Sequence, residues 1–128
     1  MTTIQDRLKA ANITLPAPAS SYGTYVPFVR TGNLVFIAGQ LPVVDGKLIL
    51  TGRVGADVSL ADAGNAARCC AINILTQLSA ALDGDLDRVR RVVRLGAFIS
   101  STNDFTKQAT VANGASDLMV EIFGDKGR

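Results

Sequence analysis

The chain has 128 residues with no histidine and no tryptophan, and 13 basic residues stand against 11 acidic ones. This length corresponds to one domain, and a 48% apolar, 19% charged composition can bury a core and is too apolar for a disordered chain. The missing histidine excludes Ser–His–Asp and Cys–His nucleophilic machinery and HExxH zinc sites, and a net charge of +2 argues for no strong polyanion partner.

The first segment carries Asp6, Arg7 and Lys9 and lacks the apolar stretch of a signal peptide. Thr3 to Ala11 can form a short helix, with Thr3 as its N-cap and Asp6 in the first turn. Asn12, Pro16 and Pro18 end it, and an extended connector runs to Gly23. Residues 10–29 are uncharged, but Pro16, Pro18 and Pro27 prevent a spanning helix. A soluble cytoplasmic protein without a membrane segment is expected.

Tyr25 to Arg30 reads as a strand, Thr31-Gly32-Asn33 as a tight turn and Leu34 to Ala38 as a short buried strand. Gly39 to Pro42 breaks the run, Asp45-Gly46 is a type I′ turn signal, and Lys47 to Thr51 is a third strand. Gly52 to Val58 is a loop. Its glycines fit a turn better than an anion cradle. Ser59 with Asp62 then caps a helix whose stripe includes Leu60, Ala63, Ala67, Cys70, Ala71, Ile74, Leu75, Leu78 and Leu82. Gly84 ends it.

Val89 to Ser100 is read as the fourth strand. Val89, Val93, Leu95, Ala97 and Ile99 form one face; Arg90, Val92, Arg94, Gly96, Phe98 and Ser100 form a mixed face suited to a groove or a subunit contact. Asn103-Asp104 caps a second long helix, Phe105 to about Phe123, with Asn113-Gly114 in its interior. The order β-β-β-α-β-α is an α+β two-layer sandwich: a mixed sheet with two main helices on one face. Residues 1–128 form one domain, with a short helix and connector over 1–22 and the core over 23–128.

Adjacent Cys69 and Cys70 cannot form an unstrained disulfide in a helix, so they read as small buried residues in a reducing compartment. Asp117 and Glu121 share a helical face, which is read as solvated rather than as an acid–base pair. Arg88, Arg90, Arg91 and Arg94 are split by strand alternation, which argues against a nucleic-acid surface.

Several motifs in order resemble one family. They are Gly23-Thr24-Tyr25-Val26, Gly32-Asn33-Leu34-Val35-Phe36-Ile37-Ala38-Gly39-Gln40-Leu41-Pro42, Gly55-Ala56-Asp57-Val58-Ser59, Asp87-Arg88-Val89 and Asn103-Asp104-Phe105. The chain resembles the RidA/YjgF family of enamine/imine deaminases, formerly L-PSP endoribonucleases. The N-terminal helix and Val111-Ala112-Asn113-Gly114-Ala115-Ser116 are similar to a longer bacterial subgroup. The resemblance implies a chorismate-mutase-like fold, a homotrimer with sites between subunits, and, in the full-length form, hydrolysis of reactive enamines and imines of the 2-aminoacrylate type to 2-keto acids and ammonia. The activity would be of the 2-iminobutanoate/2-iminopropanoate deaminase type, on a small carboxylate substrate, with no cofactor or metal.

The same resemblance makes Tyr25 and Asn113 candidate catalytic residues, and Ala38, Gly39 and Phe98 candidate substrate-binding residues. The Gly39 N–H would meet the substrate carboxylate and Phe98 would line the pocket. Ala38 stands where the family has serine, which removes a hydroxyl contact. The family's carboxylate-binding arginine and water-positioning glutamate belong to a segment after the second helix. The chain is expected to stop just before it, at Arg128, leaving the closing strand missing and a sheet edge open. A non-catalytic small-molecule-binding or regulatory trimer on the same fold is the alternative.

Overall fold

The computed structural model describes residues 2–128, so Met1 lies outside the described residues. Helix α1 spans Ile4–Ala10 and is closed by a reciprocal capping box: the Thr3 hydroxyl accepts from the Asp6 N–H at 3.1 Å, and the Asp6 carboxylate accepts from the Thr3 N–H at 3.1 Å. Its buried Leu8 enters the main core. Two long-range bonds fix its position. The Ile4 N–H donates to Asp87 at 3.0 Å, and Arg7 Nη1 donates to the Ile122 carbonyl at 3.2 Å.

Strands β1 (Phe28–Thr31) and β2 (Leu34–Ile37) form an antiparallel hairpin in which Phe28 faces Ile37 and Val29 faces Phe36. The first strand begins three residues later than expected. Pro27 has no N–H to donate, and Tyr25 belongs to a turn in which the Ser21 hydroxyl donates to the carbonyls of Gly23 and Tyr25, at 3.1 and 2.6 Å. A second hairpin pairs β3 (Val43–Val44) with β4 (Lys47–Leu48). Asp45 and Gly46 are both left-handed, at φ 51° and 78°, as a type I′ turn requires. β3 falls between the Gly39–Pro42 break and the Asp45-Gly46 turn, where no strand was expected, and the third expected strand shrinks to Lys47–Leu48.

Helix α2 (Leu60–Ala81) starts where its cap predicts, with the Ser59 hydroxyl accepting from the Asp62 N–H at 3.1 Å. Left-handed Asp83 and Gly84 end it, and the Gly84 N–H returns to the Ser79 carbonyl at 2.8 Å. Helix α3 (Gln108–Phe123) starts three residues after the expected Phe105. Asp104 does not cap it. Its carboxylate accepts from the Thr102 hydroxyl at 2.7 Å, and the Phe105 N–H turns back to the Thr102 carbonyl. Phe105 is thereby packed against the second core cluster rather than wound into the helix.

The expected fourth strand forms no ladder. Residues 89–100 run without regular secondary structure, and their backbone bonds fall near the two ends: the Val92 N–H to the Lys126 carbonyl, and the Ser100 carbonyl from the Val54 N–H. Each hairpin pairs only with itself, so the sheet is two antiparallel ribbons, and the parallel component is limited to isolated bridges at Val54. Without a ladder the pleat is not enforced. The core-packed residues are Val89, Val92, Leu95 and Ile99, spaced by three and four rather than two. Val92, placed on the mixed face by alternation, packs on the core, whereas Val93 is 74% exposed.

Two core clusters meet at Ala67. The larger contains Leu8, Leu75, Leu118, Ile122 and Phe123; the smaller contains Val54, Val58, Ala63 and Val111. The helices cross at two glycines. A Cβ added to Gly114 would overlap the Gly64 carbonyl, so only glycine permits this approach, whereas a Cβ on Gly64 would meet nothing within 4 Å. Gly114→Ala should therefore destabilise the fold by about 1–3 kcal/mol through overpacking. Gly64→Ala should be neutral or stabilising by up to about 1 kcal/mol. Urea unfolding of both variants checks the opposite signs.

The loop before α2 is held by Asp57, whose carboxylate accepts from the Arg53 N–H at 2.7 Å. That backbone bond holds the Asp57 carboxyl below its ordinary 3.8. A depressed carboxylate contributes stability above the unfolded value and loses it as pH falls through the folded one. Asp57→Ala should lower the urea midpoint at neutral pH, and the gap from the parent should close as pH falls below 3.8.

Candidate functional site

The sequence of the 14–22 connector fixes its path. Prolines keep it extended, and it runs across the polar side of α2 as a strap. The opposite wall is the end of β2 continuing through Ala38, Gly39, Gln40 and Leu41 into the β3–β4 hairpin. Between the walls lies a cleft of about 630 Å³, and residues 69, 72, 73, 76 and 77 of α2 line it.

Helix α2 holds both walls through side chains that donate to loop carbonyls. Asn73 Nδ2 reaches the Leu41 and Val43 carbonyls, each at 3.0 Å. Gln77 Nε2 reaches the Ala19 carbonyl of the strap at 3.2 Å. The Cys69 thiol meets the Val43 carbonyl at 3.6 Å, and the Thr76 hydroxyl turns back to the Ile72 carbonyl at 3.2 Å. Backbone carbonyls outside a helix or ladder bond need partners, and this face of α2 supplies them to both walls.

Three of the candidate residues come together here. Tyr25, Ala38 and Gly39 all line the cleft. The Tyr25 hydroxyl accepts from the Tyr22 N–H at 3.4 Å, within the turn closed by Ser21. The Ala38 N–H donates to the Pro27 carbonyl at 2.9 Å, which locks the end of β2. The next N–H, that of Gly39, has no partner among the described residues. Gly39 is exposed, and a Cβ there would meet nothing within 4 Å, so a ligand can approach its backbone.

The other two candidates stand apart from this cleft within one chain. Phe98 is 99% exposed, on the unpaired 89–100 segment. Asn113 is exposed on α3, with its side-chain oxygen 3.4 Å from the Ser116 hydroxyl. Its neighbour Gly114 serves the close packing of α3 on α2. Glu121 pairs with Arg68 at 3.0 Å on the solvated helix faces, which leaves no acid–base pair with Asp117. Arg88, Arg90, Arg91 and Arg94 are all exposed; Arg88 ends the short 3-10 turn Leu86–Arg88, and the other three lie on a segment without the alternation expected to split them.

Sequence reasoning passed over Asn73, Thr76 and Gln77 as cleft residues. Their signal was legible: with Cys69 they recur at helical spacing beside the apolar stripe. Among the described residues the cleft carries one charged side chain, Asp45 in the β3–β4 turn. Both cysteines are free. Burial pushes the Cys69 thiol up, and burial together with Cys69 pushes Cys70 up to about 11.

A two-layer α+β unit, with helices packed on short hairpins and a cleft beside the end of β2, defines the class of protein. The chain matches the family model described as "YjgF/chorismate mutase-like, putative endoribonuclease" over residues 5–128. It belongs to that family and has the chorismate-mutase-like fold. It is 44% identical over 119 residues to protein TCP17 of Trypanosoma cruzi, a match covering 93% of this chain and 74% of that protein. Among solved structures, the protein Atu1372 of unknown function from Agrobacterium tumefaciens is 47% identical with a TM-score of 0.89, over 98% of this chain and 76% of that one. A "putative endoribonuclease" from Shewanella oneidensis MR-1 superposes with a TM-score of 0.95 at 35% identity, over 99% of this chain and 83% of that one. Among the described residues no helix is long and apolar enough to cross a membrane.

Raised thiol pKa values make a direct prediction. At pH 8 the native cysteines should react with iodoacetamide at least about tenfold more slowly than in the urea-unfolded chain. Equal rates would show that neither thiol is shielded as described.

Proposed function

We propose that the protein hydrolyses small enamine and imine acids of the 2-aminoacrylate type to 2-keto acids and ammonia, without a cofactor. The observation that supports this most is the convergence of Tyr25, Ala38 and Gly39 on one cleft, with the Gly39 N–H unpartnered. A free backbone N–H beside open space suits a carboxylate oxygen. In this reading the Gly39 N–H binds the substrate carboxylate and the Tyr25 hydroxyl polarises or positions the reacting centre. An enamine first tautomerises to the imine, taking a proton from water at its terminal carbon and returning one from nitrogen. Water then adds its oxygen to the imine carbon, and its proton passes to nitrogen. The carbon–nitrogen bond of the resulting carbinolamine then breaks, ammonia leaves, and the carbonyl forms. No oxidant or reductant is needed.

The assembly we propose is a homotrimer in the cytoplasm. Phe98 at 99% and Val93 at 74% exposure, together with the exposed Val29 and Phe36 pair, are apolar surface that a neighbouring subunit would cover. Phe98 and Asn113 would then reach the cleft across a subunit boundary.

A second reading, a non-catalytic binding or regulatory trimer, draws support from Ala38 in place of the family's serine. It also draws on the cleft chemistry: the titratable side chains there are two tyrosines, Asp45 and a thiol that burial keeps protonated.

The test is keto-acid and ammonia release from 2-iminobutanoate generated in situ by a threonine dehydratase. Acceleration over buffer, with kcat/KM lowered at least about tenfold by Tyr25→Phe, is the expected outcome for the enzyme. No acceleration, with ligand binding retained, would establish the binder instead.

A further inference from the structure

Gln77 is 2% exposed and lines the cleft. Its Nε2 is committed to the Ala19 carbonyl of the strap. Its Oε1 is the buried side-chain polar atom without a hydrogen-bond partner among the described residues. An unmet buried acceptor is costly, and in a native protein it commonly marks a place where something else binds.

The neighbours explain why nothing internal meets it. Asn73 Nδ2 is bound to the Leu41 and Val43 carbonyls, the Thr76 hydroxyl to Ile72 and the Cys69 thiol to Val43. Each donor that α2 offers to the cleft already has a backbone acceptor. No donor of the strap reaches the Gln77 oxygen either, which leaves a ligand or water as its partner.

We propose that Gln77 Oε1 reads the side chain of the bound molecule, selecting substrates that carry a neutral hydrogen-bond donor such as a carboxamide or hydroxyl. The donor is neutral because the residues of α2 that line the cleft carry no carboxylate to accompany a cation, and the one lining carboxylate, Asp45, lies in the β3–β4 turn. A buried cation beside a lone amide oxygen would be uncompensated. An acceptor on the same group would take a strap hydroxyl, Thr14 or Ser20, and the carbon chain would meet Leu15, Pro27 and Ile72. This selection rests on the proposed function for one point, the carboxylate end at the Gly39 N–H.

A matched pair of probes tests it without turnover. Glutaramate and 5-methylhexanoate have the same length and branching; the first ends in a carboxamide and the second in two methyl groups. Each is titrated into the full chain labelled with nitrogen-15, and Kd is read from amide shifts. Glutaramate should bind about tenfold more tightly, the usual scale for satisfying a buried acceptor. The Gln77 side-chain amide resonances should shift with glutaramate only. In Gln77→Met the two probes should bind within about twofold of each other. A merely structural role in holding the strap would weaken both probes equally and leave their ratio unchanged.

Equal affinities in the parent protein, or no binding of either probe, overturn the proposal and assign the Gln77 oxygen to water. A preference that survives Gln77→Met overturns it as well. Should that variant not fold, the parent's affinity ratio and the Gln77 resonances decide. Imine hydrolysis is scored separately, so a failed deaminase assay beside a clear glutaramate preference would remove the catalytic reading and keep the selection.

Discussion

The close approach of α2 and α3 at Gly64 and Gly114 is the constraint on which the rest of the molecule depends. The hairpins have strands of four and two residues, too short to be stable alone. They acquire a fixed position by lying on α2. Helix α2 in turn is fixed by burying Ala71 and Leu75 against Ala115, Leu118, Met119 and Ile122 of α3. Because Gly114 has no side chain, the two backbones come near enough for those residues to interdigitate. Helix α1 joins the same core through Leu8 and is held by Arg7 at the C-terminal end of α3.

One helix therefore serves two structures. Its apolar face builds the core, and its polar face builds the cleft. The carbonyls that face α2 from the two walls, those of Leu41 and Val43 on one side and Ala19 on the other, have no strand opposite them on that side. Asn73 and Gln77 supply the donors on the two walls. Site geometry is thus coupled to core packing: a rotation of α2 would shift both walls together. Among the described residues the exception to this mutual satisfaction is the Gln77 oxygen, and where the other buried side-chain polar atoms described are met, an exception inside the cleft is informative.

The elements legible in the sequence are those set by local chemistry. The Thr3 cap, the Ser59 cap, the long apolar stripe of α2 and the Asp45-Gly46 turn depend on residues within one or two turns of each other, and each stands where it was expected. The 89–100 segment fails for the opposite reason. Its composition suits a strand, but a strand exists only with a partner, and no local pattern supplies one. The late start of α3 is similar: Asp104 can cap a helix or close a turn with Thr102, and the burial of Phe105 decides for the turn. At the site, Tyr25, Ala38 and Gly39 converge because a single hairpin connects them. Phe98 and Asn113 lie on separate elements, and nothing local sets their distance from the cleft.

The distribution of apolar surface connects these observations. In the first hairpin Phe28 and Ile37 face inward and are half-buried, while their neighbours Val29 and Phe36 face outward and are exposed. Segment 89–100 repeats the division, with Val89, Val92 and Leu95 inward and Val93 and Phe98 outward. A single water-exposed layer would place polar residues at those outward positions. Their apolar character is what a second covering layer requires, and in the proposed trimer that layer is another copy of the chain. The two candidate residues left outside the cleft would then be displaced by a subunit boundary. Phe98 would be the side chain through which one copy closes the site of the next.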